Sequence, residues 1–412
     1  MKKRQVSIGL LILVLLLLFS ACTGPAGTPT AGTSTEPTQS TDVSVETEET
    51  APVETSGEGG TIKFYVAAPM TGDTASHGLQ IQTATQIAVD EINAAGGING
   101  KMLEFEVMDD QANANQAAIV AEKIISDDDA LFVLGHNNSG CSLSALPTYE
   151  KVNMPVISPT NTSATIVDEG YANYFRIIST DALNGSQLVK LAILELGNST
   201  PALIWENTDY GKGLRDIAIE TLEELGVDYV GDESYVAGVD RDYSAQVTKF
   251  KGAGADVVLF LGEYTAGALF AKQNISLGLN AEIVGSNGNS NDKLIEIGGA
   301  DVEGMYTMTS FNPYDTDERI QTFVKAFAAA KNGELPGEWG SHAYDIVYLV
   351  KAAIEAGGTT RDLLIEKLHE LKAFEGITGT IEFSENGDVP GKKVMVMVVK
   401  DGKFEAYKPT KY

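Results

Sequence analysis

The segment GHNNSG, Gly135 to Gly140, holds the residues best suited to covalent chemistry: a hydroxyl at Ser139 and an imidazole at His136, with a second imidazole upstream at His77. A serine hydrolase needs its nucleophile on a G-x-S-x-G elbow, a histidine base, and an acid that orients the histidine. GHNNSG is not that elbow, and no aspartate stands where a spacing rule would complete a triad. The four histidines and two cysteines show neither C-x-x-C nor H-E-x-x-H spacing, so no metal site is expected. Gly211-Lys212-Gly213-Leu214 lacks the leading glycine of a phosphate loop. Asp127-Asp128-Asp129 reads as a solvated helix end rather than a calcium loop. The polar residues are therefore read as binding groups; neither an enzyme nor a cofactor is expected.

Their positions suit binding. The apolar run Ala130 to Leu134 leads into GHNNSG and a helix pattern follows, which puts Ser139 at a helix start. Free N–H groups and the positive end of the helix dipole favour a carboxylate there, although a serine at the same place also serves as a simple cap. Pro155 to Ser158 leads likewise into PTNTS, which carries Thr160 and Thr162. Further along, Tyr210 in TDYGKGL and Tyr264 in FLGEYTAG each follow an apolar run. A tyrosine offers a broad apolar face and one polar tip, suited to a ligand that is part apolar and part polar.

The elements that must hold these residues alternate in type. Strand patterns at 62–67, 103–108, 130–134 and 155–158 are interleaved with helix patterns, the first of them Gly78 to Ala95 with Ala84, Ile87, Ala88 and Ile92 on one stripe. The rhythm restarts after Thr180, with strands at 202–205, 229–236, 257–261 and 283–285. Three helical stretches follow, at 317–332, 342–356 and 360–371. A last strand, Val394 to Val399, meets a Lys400-Asp401-Gly402-Lys403 turn. Two consecutive units of this kind predict an α/β protein with two doubly wound parallel-sheet lobes.

The amino terminus concerns location. Lys2, Lys3 and Arg4 precede an apolar run from Val6 to Phe19, shorter than the ~20 residues of a membrane-crossing helix, and Ser20-Ala21-Cys22 follows. The arrangement resembles a bacterial lipoprotein signal over residues 1–21, with Cys22 as the lipidated residue; Phe19 stands where leucine is usual. Residues 22–60 are rich in Thr, Ser, Gly, Pro and Glu and nearly free of apolar side chains, the composition of a disordered acidic tether. A formal charge of −28 argues against nucleic acid or anionic lipid as the main partner. With Cys22 lipidated, Cys141 has no cysteine to pair with.

IQTATQIAVDEINAAGGINGKMLEFEVMDDQANANQA, GHNNSG, MPVISPTNTSA, TDYGKGL, SHAYDIVYLVKAAIEAG and GITGTIEFSENGD stand in an order that resembles the branched-chain-amino-acid-type substrate-binding proteins of ABC importers, over residues 61–412. The resemblance implies a type I periplasmic-binding-protein fold. One lobe would comprise residues 61–180 and 309–391 and the other 181–308 and 392–412, joined by three crossover strands. It implies that Ser139 donates to a ligand carboxylate, with Thr160 and Thr162 beside it, that Tyr210 and Tyr264 reach the ligand from the second lobe, and that His77 and Trp339 lie near its side chain. One departure is informative. Asn287 in GSNGNS occupies the place of a carboxylate that pairs with an α-ammonium, and an amide cannot neutralise that charge. Glu263 or Asp209 would have to supply it, or the ligand lacks an ammonium. The implied function is an extracytoplasmic, lipid-anchored receptor that delivers a small polar solute, an amino acid of branched-chain or related type, to an ABC permease. The other reading is a sensory receptor of the same fold for an amide or carboxylic acid.

Overall fold

The computed structural model describes residues 59–412; the leader, Cys22 and the tether as far as residue 58 lie outside the described residues. Strands β1 (Thr61–Ala68), β2 (Met102–Asp109), β3 (Ala130–Gly135), β4 (Val156–Ser158) and β5 (Tyr174–Arg176) form a parallel sheet in the order β2-β1-β3-β4-β5. In the second half run β6 (Pro201–Glu206), β7 (Gly231–Tyr235), β8 (Val257–Leu261), β9 (Glu282–Gly285) and β10 (Tyr306–Thr309). A short hairpin of β11 (Phe374–Gly376) and β12 (Gly379–Ile381) follows, then β13 (Met395–Lys400) and β14 (Lys403–Tyr407). The second sheet has the order β14-β13-β10-β9-β8-β6-β7, parallel from β7 to β10 and antiparallel at β13 and β14.

Both parallel sets repeat one topology. Chain order reverses between β1 and β3 in the first sheet and between β6 and β8 in the second. At such a switch point the loops leaving neighbouring strands diverge and open a crevice beyond the carboxyl ends. The loops after β1, β3, β6 and β8 lead into helix starts that hold His77, Ser139, Tyr210 and Glu263-Tyr264 respectively.

Burial explains why the strands form. Phe64, Val66, Phe132 and Leu134 are fully buried on one face of the first sheet against helices that include Glu338–Glu355. Ala67, Val133, Cys141 and Tyr149 fill the other face. The first of these cores takes residues from 62–177 and again from 311–389, whereas the cores around the second sheet draw on 188–308 and 394–407. The chain crosses between the sheets after β5, after β10 and before β13.

Some elements differ from the sequence reading. β5 (YFR) and β10 (YTMT) are absent from the sequence reading because they mix polar with apolar residues and form no short apolar run of the kind that marks β4 and β9. The helix expected from Gly78 begins at Ala75, which draws His77 into its first turn. The Asp-Gly turn between β13 and β14 is formed as expected, with Asp401 at φ 51° and Gly402 at φ 71°.

Candidate functional site

On the first-lobe side the site begins where β3 ends. Gly135 has φ +148°, and a Cβ there would lie 2.2 Å from the Ala67 carbonyl oxygen, so only glycine allows the strand to turn at this point. Asn138 takes the cap position of the helix Ser139–Glu150 in extended conformation, without a side-chain capping bond. Ser139 is thus the first helical residue and not the cap, and it walls the cavity described below. Its loop is fastened to the next one: Thr160 Oγ1 donates to the Asn137 carbonyl at 2.7 Å, and Asn161 Nδ2 donates to the same oxygen at 2.8 Å.

Beneath lies Arg176, 1% exposed. Its Nη1 donates to the Ser163 and Asn161 carbonyls at 2.6 and 3.3 Å, and its Nε donates to Asp388 Oδ1 at 2.5 Å. A buried guanidinium therefore shapes the Thr160 loop. Thr162 is not among the residues that wall the small cavity, and its carbonyl accepts the Asp181 N–H where the chain crosses to the second lobe.

From the second lobe, Thr208 caps the helix Asp209–Leu225 by accepting from the Gly211 N–H, which places Tyr210 in the first turn. Tyr210 Oη donates to Asn287 Oδ1 at 2.7 Å and accepts from the Gly288 N–H at 3.1 Å. Asn287 Nδ2 then donates to Glu338 Oε1 at 2.8 Å. The other oxygen of Glu338 accepts from the N–H and Oγ of Ser310, at 2.7 and 2.9 Å, on the segment that crosses back after β10. Tyr264 Oη accepts from the Ser76 N–H at 3.3 Å across the cleft. At the rim Thr265 Oγ1 donates to the Asp73 carbonyl at 2.8 Å and Arg241 pairs with the Asp73 carboxylate at 2.6 Å. The lobes are closed on one another.

Between them is a cavity of about 20 Å³, walled by Asn137, Asn138, Ser139 and Thr160 on one side and by Tyr210, Glu263, Asn287 and Gly288 on the other, with Trp339 beside them. It adjoins a cleft of about 620 Å³ that shares Ser139, Tyr210 and Glu263 and reaches Glu206 and Asp209. The small cavity has room for a water, so a solute of amino-acid size enters only if the jaws part. His77 lies behind the wall, stacked on Trp339 with ring centroids 3.8 Å apart and Nδ1 3.5 Å from Glu263 Oε2.

The charge balance is one-sided. Burial, then the nearby charges of Glu206 and Glu338, hold the Glu263 carboxyl well above the usual carboxylate range. Burial pushes Glu206 up to about 7 and raises Glu338 in spite of its hydrogen bonds from Asn287 and Ser310. Burial also drives His77 down to about 3, which leaves it neutral. Among the described residues no lysine or arginine lines the small cavity. His136 bonds Asp110 at 2.7 Å and Tyr149 at 3.1 Å, so both of its ring nitrogens are spent away from Ser139.

The sequence reading named nine contact residues. Ser139, Thr160, Tyr210, Glu263, Asn287 and Trp339 wall the small cavity; His77 and Tyr264 pack directly behind it; Thr162 stands apart. Glu338 was not foreseen. An acidic residue in the first turn of a helix is ordinary, and nothing local marks this one as the partner of Asn287.

Two parallel-sheet lobes, crossed three times by the chain and closed over a polar cavity at paired switch points, define a hinged solute-binding protein. Residues 61–403 match the periplasmic binding protein family. The leucine-, isoleucine-, valine-, threonine-, and alanine-binding protein of Pseudomonas aeruginosa is 31% identical over 329 residues, 80% of this chain and 87% of that protein. Leu/Ile/Val-binding protein homolog 3 of Brucella melitensis is 31% identical over 83% of this chain and 92% of its own length. Among solved structures, the branched-chain amino acid transporter substrate-binding protein LivJ from Streptococcus pneumoniae, in complex with isoleucine, superimposes with a TM-score of 0.79 at 29% identity, covering 85% of this chain and all of that one. The leucine-binding protein LivK from Thermotoga maritima gives 0.79 at 28% identity, over 84% and 98%. The chain belongs to the periplasmic binding protein family, in its branched-chain-amino-acid-type group of ABC-transporter substrate-binding proteins. Membership in that family implies an extracytoplasmic location.

Proposed function

We propose that this protein captures a small α-amino acid between its lobes and delivers it to the permease of an ABC importer. The observation that carries this reading is the polarity of the cavity: a helix start with Ser139 on one jaw, and Glu263 with the Asn287–Glu338 pair on the other. A carboxylate is favoured at the helix start and an ammonium beside the carboxylates, so a zwitterion fits in one orientation. An ammonium beside Glu263 would favour its ionised form, so that Glu263 takes the counter-charge role that Asn287 cannot fill. Closure brings the two sets of contacts together, so the bound amino acid selects the closed arrangement. The relatives that bind leucine, isoleucine and valine support this class of ligand.

Calorimetric titration with amino acids, and with the matching amines and carboxylic acids that lack one charged group, tests the reading. An amino acid is expected to bind and both truncated analogues to fail; a deaminated acid that binds equally well refutes the ammonium site. The short apolar leader and Cys22 support anchoring by lipidation, with residues 23–60 as tether. Intact-mass analysis should then find a diacylated Cys22 at the mature amino terminus.

A further inference from the structure

We infer that His77, packed behind the wall formed by Trp339 and Glu263, makes this part of the pocket polar, so that the preferred amino acid carries a hydroxyl or amide side chain rather than an aliphatic one of the same shape. The inference rests on the α-amino-acid reading above and sharpens it.

His77 follows β1 in the first turn of the helix Ala75–Ala94 and is 0% exposed. Its ring lies flat on Trp339, at 3.8 Å and 8°, and takes the edge of Tyr264 at 4.9 Å and 67°. Trp339 and Glu263 wall the cavity, and His77 touches both. At 3.5 Å, with no hydrogen-bonding geometry, the contact from Nδ1 to Glu263 Oε2 is not a hydrogen bond. Neither ring nitrogen of His77, nor that carboxylate oxygen, has a hydrogen-bond partner among the described residues.

A phenylalanine at this place would keep the stacking and carry no unmatched nitrogens. A buried polar group left unpaired weakens a folded or bound state roughly five- to 150-fold, so orphan groups beside a binding cavity point to a ligand that satisfies them. Burial keeps the imidazole neutral. One nitrogen then donates and the other accepts, which suits a hydroxyl or a carboxamide. The nearby Asn137 Oδ1, also buried and unpartnered, extends the polar lining on the first-lobe side.

Two pairs of near-isosteric amino acids isolate the effect: threonine against valine, and asparagine against leucine. Calorimetry on the purified full chain should show the polar member of at least one pair binding about tenfold tighter or more. His77→Phe should bring that ratio to within about twofold, and His77→Gln, which keeps a donor and an acceptor, should retain a preference for the polar member. The inference is overturned if the polar member gains no such advantage in either pair, as when a bound water satisfies the imidazole, or if His77→Phe leaves the ratio unchanged. Should His77→Phe fail to fold, the wild-type ratios alone decide. Failure of every amino acid to bind would instead overturn the α-amino-acid reading itself.

Discussion

Replacing Glu263 by Gln should weaken ligand binding and stabilise the ligand-free fold, two effects of opposite sign from one side chain. The amide keeps the size and one acceptor oxygen but loses the charge. A hydrogen bond to a charged group is worth about 1.5–3 kcal/mol, so affinity for the amino acid should fall roughly 10- to 150-fold. Stability moves the other way because Glu263 sits with Glu206 and Glu338 and has no basic partner on the cavity wall. Its folded-state pKa is raised by burial and then by those two charges. Such a group contributes stability that is complete below its unfolded pKa and is lost as pH rises towards the folded value.

Glu206 sets a scale for that loss. Burial carries it from 4.5 to about 7, which at ~1.4 kcal/mol per pH unit amounts to about 3 kcal/mol between those pH values. Removing the neighbouring charge should return part of this. The assay is a pair of thermal melts at steps from pH 4.5 to 8, wild type against Glu263→Gln, together with calorimetric titration at neutral pH. The variant should gain on the wild type steadily as pH climbs. A melting difference that stays flat with pH, or an affinity equal to wild type, would refute the electrostatic argument.

Arg176→Met should destabilise the fold by about 3–5 kcal/mol, since it strips Asp388 and the Asn161 and Ser163 carbonyls of a buried cation; urea unfolding measures this, and a loss under 1 kcal/mol would contradict it. Ser139→Ala should cost about 1–3 kcal/mol of affinity with an unchanged melting temperature, because the hydroxyl faces the cavity and caps nothing; a lower melting temperature without a change in affinity would return Ser139 to a structural role.

Much of the scaffold was legible in advance because its signals are local. The runs at Ala130 to Leu134 and Val257 to Leu261 are apolar throughout, as strands covered on both faces must be, and each ends in the polar residues that reach the cleft. Helix starts after parallel strands can be read from pattern, which placed Ser139, Tyr210 and Tyr264; their choice as ligand contacts came from the family resemblance. The three-residue β5 could not be, since its place depends on hydrogen bonds to β4 and on Arg176 reaching Asp388, 212 positions away.

The sequence by itself determined that two α/β halves exist and that polar residues able to contact a ligand follow their strands, both from residue type and short-range spacing. The missing charge at Asn287 came instead from the family resemblance. Only the tertiary structure decided which carboxyl groups stand near Asn287. Glu263 faces Ser139 across the cleft, Glu338 ties Asn287 to the crossing segment at Ser310, Thr162 lies off the small cavity's wall, and His77 is sealed against Trp339. Those are meetings between residues up to about 260 positions apart, and what sets them is the closing of two lobes, a contact that no local pattern encodes.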